Sequence, residues 1–272
     1  MRRARPLLGT FVTIESESEA AIAAGFAAVE RIHALMSAHE PESELSRLNR
    51  STPDEPIALS PDTLAVLTRA RFWFEASDGA FDPVRAGARA IADGAIPLHA
   101  GQPAPDPEAD FSALTVEGTN GWLARPATID LGGIAKGYAV DRALDAMRTA
   151  GAREGFVNAG GDMASFGAPQ PIVVTDPLTG AARLELTLDG RALATSAAHE
   201  GENGPDARHL PGSSAYRSVT VEAARAIDAD ALTKIAWSGH GRLADLFALA
   251  DARAVGIAAD GRIAELAMET DA

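Results

Sequence analysis

Hydrophobic and polar positions along this chain switch between two periods. Alternation in Thr10-Phe11-Val12-Thr13-Ile14 predicts a strand almost at the chain start. From Glu17 to His39 the period lengthens: Ala21, Ile22, Phe26, Val29, Ile32, Leu35 and Met36 recur at helical spacing and predict a long amphipathic helix ended by Pro41. Ser43 to Arg50 reads as a short capped helix, and Asp62 to about Glu75 as a second long one ahead of the turn Ser77-Asp78-Gly79. Pro and Gly cluster between Gly94 and Pro107, which predicts a surface loop. Beyond it, strands are expected around Thr115, Leu123 and Thr128-Ile129, then at Gly155 to Asn158, Pro171 to Thr175, Arg183 to Leu188, Arg191 to Thr195 and Ser218 to Glu222. Helices are expected from Ile134 to Ala150, from Asp230 to Trp237 and from Leu243 to Leu249, before a last pair of strands turning at Asp260-Gly261.

Composition narrows the function classes. A chain of 272 residues, 46% hydrophobic and without a long apolar run, is large enough for one big domain or two small ones. Its 24 Lys and Arg against 38 Asp and Glu give a net charge of -14, which argues against a binder of nucleic-acid phosphates. With no cysteine, disulfides, Cys-ligated zinc, iron-sulfur clusters and thiol nucleophiles are excluded. The start Met1-Arg2-Arg3-Ala4-Arg5 carries the charge of a signal peptide's first region, but Gly9, Thr10, Thr13, Glu15 and Glu17 follow instead of an apolar segment. The expectation is a cytoplasmic or already processed chain without a transmembrane segment. A periplasmic or membrane-anchored placement applies if a precursor segment is missing.

Chemistry concentrates in a few stretches. Ile129-Asp130-Leu131-Gly132-Gly133-Ile134-Ala135-Lys136-Gly137 reads as a strand ending in a carboxylate, a glycine turn and the start of a helix. Such a turn can cradle a phosphate, with backbone amides and Lys136 facing the anion. A purely structural strand-to-helix turn carries equal weight. Its spacing matches neither GxxxxGK[ST] nor GxGxxG. Val157-Asn158-Ala159-Gly160-Gly161-Asp162 is a second glycine turn, with Asp162 read first as a cap. Asp78-Gly79-Ala80-Phe81-Asp82-Pro83 offers either a flat ligand surface with Asp82 as acceptor or a turn with a capping Asp. Asp230, Thr233 and Lys234 share a helix face, so they either present oxygens to a hard cation or hold an ordinary Asp-to-Lys pair. Six histidines show no close metal-ligand spacing.

Taken in order, these segments resemble the ApbE family of FAD:protein FMN transferases. The resemblance runs through Leu7-Leu8-Gly9-Thr10-Phe11, Met36 to Asn49, Asp78 to Pro83, Asp130 to Asp141, Val157 to Asp162, Ala194-Thr195-Ser196 and Ala229-Asp230-Ala231-Leu232. It implies an α+β fold with mixed or antiparallel sheets flanked by helices, forming a single FAD-binding domain over residues 1–272 with one or two lobes at the FAD cleft. It implies an enzyme that, with Mg2+, moves FMN from FAD to a threonine hydroxyl of a client flavoprotein and releases AMP. The alternatives are a FAD-binding protein without transfer and a FAD pyrophosphatase giving FMN and AMP. By position, Leu8, His39, Ala80, Phe81, Asp82, Asp130 and Lys136 match the FAD contacts. Gly133, Asp230 and Thr233 match the metal site, and His209 with Asp230 the catalytic groups.

The chain also departs from that pattern. Lys234 stands where the family's run Asp-Ala-Leu-Xaa-Thr has its metal-binding threonine, with Thr233 one position earlier. His209-Leu210-Pro211-Gly212 shortens the usual His-Ile-Ile-Asp-Pro-Xaa-Thr-Gly segment. His39 replaces an aromatic residue, and His199 a tyrosine. The expectation is that Lys234 pairs with Asp230 and supplies part of the charge Mg2+ supplies elsewhere, weakening metal dependence.

Overall fold

The computed structural model describes residues 1–201, 204–206, 210 and 214–266. The chain divides into two units, Met1–Glu30 with Lys136–Ala272, and Arg31–Ala135, so the second is an insertion in the sequence of the first. It opens on a hairpin in which β1 (Arg2–Leu7) pairs antiparallel with β2 (Thr10–Glu15). In β2 the alternation acts as expected: Val12 and Ile14 are buried while Phe11 stands 70% exposed. Strand β1 was not expected, because three arginines and a proline erase the alternation of a half-buried strand. It is the outer strand of its sheet, where charge discourages pairing with a second chain. Helix α1 (Glu19–Met36) buries the predicted stripe of Ala21, Ile22, Phe26, Val29, Ile32 and Met36, and stops short of Pro41.

The inserted unit holds α2 (Glu44–Leu48), β3 (Ile57–Ala58), α3 (Pro61–Ala76), α4 (Pro83–Ala92), β4 (Leu114–Glu117) and β5 (Asn120–Leu123), with the three strands in the antiparallel order β3-β5-β4. Ser43 caps α2 and Ser60 caps α3, each accepting an N–H bond three residues on. Helix α4 was missed because its middle carries Gly87, a poor helix former. The glycine is needed there: a Cβ would lie 2.0 Å from the Thr128 carbonyl oxygen. The strand expected at Thr128-Ile129 does not form. The Asn49 side chain takes the place of a neighbouring strand, donating to the Ile129 carbonyl at 3.0 Å and accepting its N–H at 2.8 Å. A backbone satisfied by one amide side chain is extended without belonging to a sheet.

The chain then returns through α5 (Ala135–Thr149) to β6 (Gly155–Ala159), β7 (Asp162–Phe166), the hairpin β8 (Gln170–Thr175) with β9 (Ala182–Leu188), β10 (Ala192–Ala197), and the short pair β11 (His199–Gly201) with β12 (Gly204–Asp206). It ends with β13 (Tyr216–Ala223), α6 (Ala226–Trp237), α7 (Leu243–Ala248), β14 (Arg253–Ala258) and β15 (Ile263–Leu266). Eight strands form one antiparallel sheet in the order β1-β2-β6-β7-β10-β13-β14-β15. The fold is therefore α+β. Phe26 and Val29 of α1 and Val140, Leu144 and Met147 of α5 pack on Val12, Ile14, Val157 and Ala159 of the sheet. Each fully buried side chain of this size contributes about 1.5–3 kcal/mol. No helix among the described residues is long and apolar enough to cross a membrane.

Helix α6 differs from the others. Every residue in it except Lys234 is buried, including Asp228, Asp230 and Thr233. A helix enclosed on all sides has no solvated face on which to place its carboxylates, so they must find partners inside.

Candidate functional site

Two contacts fix α6 against α5. Asp141 caps α6 from outside, accepting the N–H bonds of Ala226 at 2.9 Å and Ile227 at 3.2 Å. Gly137 lets the two helices touch, since a Cβ there would lie 2.1 Å from the Ala226 carbonyl oxygen. The crossing brings the first turn of α5 onto Asp230: the Gly137 N–H donates to its Oδ2 at 3.2 Å, and Lys136 Nζ lies 3.6 Å from the same oxygen. Lys136 Nζ also lies 3.0 Å from Oδ2 of Asp162.

The sheet delivers the remaining groups at one of its ends. Leu8-Gly9 joins β1 to β2 there, and Ala159 and Asp162 face each other across the β6–β7 turn. In that turn Asn158 Oδ1 accepts the Gly161 N–H at 2.9 Å. Asp162 is thus the first residue of β7, fully buried and paired with a lysine, rather than the cap its sequence position implied. Strand β10 ends beside it and contributes Ser196, which is 5% exposed.

Lys234 completes the cluster. Its Nζ donates to Ser196 Oγ at 2.8 Å, Asp230 Oδ1 at 2.9 Å and Thr233 Oγ1 at 3.0 Å, with the Asp230 carbonyl oxygen at 3.4 Å. The expected i,i+4 pair between Asp230 and Lys234 is present, but as a buried contact rather than a solvated one. Ser196 and Asp162 were not among the candidate site residues. A serine at an inward position of a buried strand, and an aspartate just after two glycines, were the signals available.

The two carboxylates titrate apart. Burial pushes Asp162 up, and the charge of Asp230 adds to this, so that despite Lys136 and Lys234 its pKa rises to about 6. Burial acts on Asp230 in the same direction. The ammonium groups of Lys136 and Lys234, with the hydrogen bonds from Lys234 and the Gly137 N–H, outweigh it and hold Asp230 below the usual carboxylate range.

Of the other candidates, His39, Ala80, Phe81, Asp82, Asp130 and Gly133 belong to the inserted unit, where backbone amides take most of the acceptors. Asp130 Oδ1 accepts the Gly132 N–H at 2.8 Å, and the Leu131 carbonyl accepts from Ile134 at 3.0 Å and Ala135 at 2.8 Å. These amides close the turn on itself, as the structural alternative requires. The Asp130 N–H donates to the Pro83 carbonyl at 3.0 Å, which sets Asp130 beside the start of α4. There Asp82 caps the helix, its Oδ1 accepting from Val84 at 2.9 Å and Arg85 at 3.1 Å. Burial raises the Asp82 pKa against those two hydrogen bonds. Phe81 is buried, with its N–H donated to Ser77 Oγ at 3.0 Å, while Ala80 and Gly133 are half-buried and His39 is exposed. Leu8, half-buried, holds φ at +56° in the hairpin turn, a region that leucine rarely adopts. His209 lies outside the described residues.

Among the described residues no three His, Asp or Glu side chains converge as metal ligands. A cleft of about 130 Å³ between α5 and the sheet, lined by Asp141, Arg148, Arg191 and Arg225 among others, contains none of the candidate residues. It is smaller than a site for a drug-sized ligand, roughly 300–1,000 Å³.

Comparison with known proteins places this arrangement in context. The model of the ApbE family matches residues 8–249. A FAD:protein FMN transferase of Vibrio cholerae is 31% identical over 144 residues, covering 50% of this chain and 43% of that protein. One of Treponema pallidum is 27% identical over 190 residues, covering 61% of this chain and 51% of that protein. The matches thus span about half the length of these curated relatives. The crystal structure of the ApbE protein of Thermotoga maritima superposes with a TM-score of 0.83 at 25% identity, over 97% of this chain and 96% of that one.

Proposed function

The chain belongs to the ApbE family, and from that premise we propose that it is a FAD:protein FMN transferase. A threonine hydroxyl of a client flavoprotein attacks the phosphorus of the FMN half of FAD. The new P–O bond replaces the pyrophosphate link, AMP leaves with the bonding electron pair, and the hydroxyl proton passes to a base. His209 is the base in this reading.

The observation that carries the proposal is the family match over residues 8–249, which includes every candidate site residue. Leu8, His39, Ala80, Phe81, Asp82, Asp130 and Lys136 hold FAD in this reading. Leu8, Ala80, Asp130 and Lys136 are partly open to solvent and His39 is exposed, as ligand contacts require. Phe81 and Asp82 are buried and contribute by shaping the backbone at the start of α4. An acidic protein needs local positive charge to receive a pyrophosphate, and among the candidate contacts Lys136, whose side chain is 26% exposed, is the one that carries it.

Magnesium, which the resemblance assigns to Gly133, Asp230 and Thr233, does not fit these residues as they stand. Asp230 Oδ1 and Thr233 Oγ1 already accept from the Lys234 ammonium. The chemistry above is therefore assigned to the chain's own groups.

Incubation of the full chain with FAD and a threonine-bearing client flavoprotein tests the proposal. Covalent flavin fluorescence on the client in a denaturing gel, with release of AMP, is the expected result. AMP without client fluorescence identifies a pyrophosphatase, and neither signal identifies a binding protein. Either outcome rejects transfer.

A further inference from the structure

The environment of Lys234 has a composition unusual for an ammonium on a helix. Around Nζ stand one carboxylate oxygen, two hydroxyl oxygens and one backbone carbonyl oxygen, all from residues no more than 5% exposed. Hard divalent cations are held by this donor set of carboxylate, carbonyl and neutral oxygens. The hydrogen-bond directions sharpen the point. The Thr233 hydroxyl donates to the Asp230 carbonyl at 2.7 Å, so the 2.7 Å contact between Ser196 Oγ and Thr233 Oγ1 uses the proton of Ser196. Both hydroxyls then turn lone pairs toward Nζ, as they would toward a metal ion. Ser196 comes from β10 and the other oxygens from α6, so packing of a strand against a helix builds the cage, and no local sequence run could.

We propose that the Lys234 ammonium is the resident cation of this cage, and that shortening Lys234 uncovers a divalent-metal site. The inference builds on the proposed transferase only in naming the chemistry the cation serves, because the cage stands on its own geometry. At 2.8–3.0 Å the three closest oxygens lie at hydrogen-bond distance from nitrogen. A magnesium ion would draw them to about 2.0–2.1 Å and needs the space Nζ occupies. The ammonium and the ion therefore exclude each other. Lys136 is no substitute for Lys234: it approaches Oδ2 of Asp230, the opposite oxygen, and shares itself with Asp162. With Lys234 shortened, Oδ1 of Asp230 loses its ammonium partner, and the two hydroxyls and the carbonyl lose theirs.

Counting bound Mn2+ by the electron paramagnetic resonance of the free ion, on the full chain and without flavin, tests the proposal. Lys234→Ala should bind one Mn2+ per chain more than the wild type, Mg2+ should displace that ion, and adding Asp230→Asn should abolish it. Equal counts in wild type and Lys234→Ala, with circular dichroism showing both folded, would overturn the proposal. Should Lys234→Ala not fold, Lys234→Thr provides the same comparison with an added oxygen. A further arm uses the natural lysine: wild type and Asp230→Asn should bind equal numbers of Mn2+, and one ion fewer in Asp230→Asn would place a metal in the cage beside Lys234 and overturn the idea. Flavin transfer is not read in any arm, so loss of the transferase reading and loss of this one are separate results.

Discussion

Asp82 and Asp230 are both buried carboxylates, one in each unit, and they are held in opposite ways. The side chain of Asp82 is 3% exposed and that of Asp230 is fully enclosed. Asp82 meets the N–H groups of the helix it starts, two and three residues ahead in sequence. Asp230 meets two ammonium groups and one N–H group, and Lys136 and Gly137 come from more than ninety residues away. A carboxylate satisfied by its own helix end can be read from a few letters and costs little to build. One satisfied by distant ammonium groups exists only when the whole unit is folded, and every member of the group depends on the others.

That dependence sets the largest expected effect. Asp230→Ala removes the shared partner: the Lys234 ammonium loses its carboxylate in an enclosed site, and Asp162 is left as the carboxylate beside Lys136. Breaking a buried ion pair from one side costs about 3–5 kcal/mol, to be measured by urea denaturation near neutral pH. A loss below about 1 kcal/mol, the ceiling for a surface pair, would show that the cluster is solvated and the contrast with Asp82 is false.

Asn49 extends the comparison to a neutral group in the inserted unit. Asn49→Ala strips Ile129, a residue with no exposed surface, of partners for both its N–H and its carbonyl. At about 1–3 kcal/mol for each unsatisfied buried group, the expected loss is at least about 2 kcal/mol. Hydrogen exchange at the Ile129 amide should quicken with it. Unchanged exchange would mean that the amide side chain is not what holds this segment extended.

How much of this was legible beforehand follows from the same contrast. The stripe of α1, the capped helix after Ser43, the long helix α3 and most strands of the large sheet are local patterns, and they appear where period and capping chemistry placed them. Strand β1 was hidden by arginines that only an outer position tolerates, and α4 by a glycine that close packing on Thr128 demands. The strand expected at Thr128-Ile129 failed because Asn49, eighty residues earlier, supplies its hydrogen bonds. At the candidate site the spacing of Asp230 and Lys234 was visible. Ser196 stood in a run that matches the family, but its place against Thr233 and Lys234 was not visible, because no run of letters says which strand will pass a given helix face.

Acid titration probes the cluster from its other carboxylate. Asp162 has a folded pKa near 6, above the ordinary aspartate value of about 3.9. A raised folded value favours the native state while the group is protonated. Its contribution is therefore complete below about pH 4 and is lost as pH climbs through 6. Asp141, also pushed up to about 6 by burial, acts in the same direction. Stability followed by urea midpoint should fall across this window, each group adding a slope of at most about 1.4 kcal/mol per pH unit. Asp162→Asn should remove one share and the double change with Asp141→Asn both. A slope unchanged in Asp162→Asn would mean that Lys136 and Lys234 keep Asp162 ionised throughout.

The smallest expected effect supplies the control that the comparison needs. Arg85 lies 3.4 Å from Oδ2 of Asp82, so Asp82, like Asp230, has a cationic side chain at hand. The guanidinium, however, belongs to a side chain that is 64% exposed. Water screens its charge, and holding it in place costs rotamer freedom, which limits such a pair to about 0.2–1 kcal/mol. Arg85→Ala should therefore cost no more than about 0.5 kcal/mol in urea denaturation, because the Val84 and Arg85 amides, which the substitution retains, are what hold Asp82. A cost approaching that of Asp230→Ala would show Asp82 to be held by charge after all. The difference between the two units would then lie in sequence distance alone, not in the physics of the pairing.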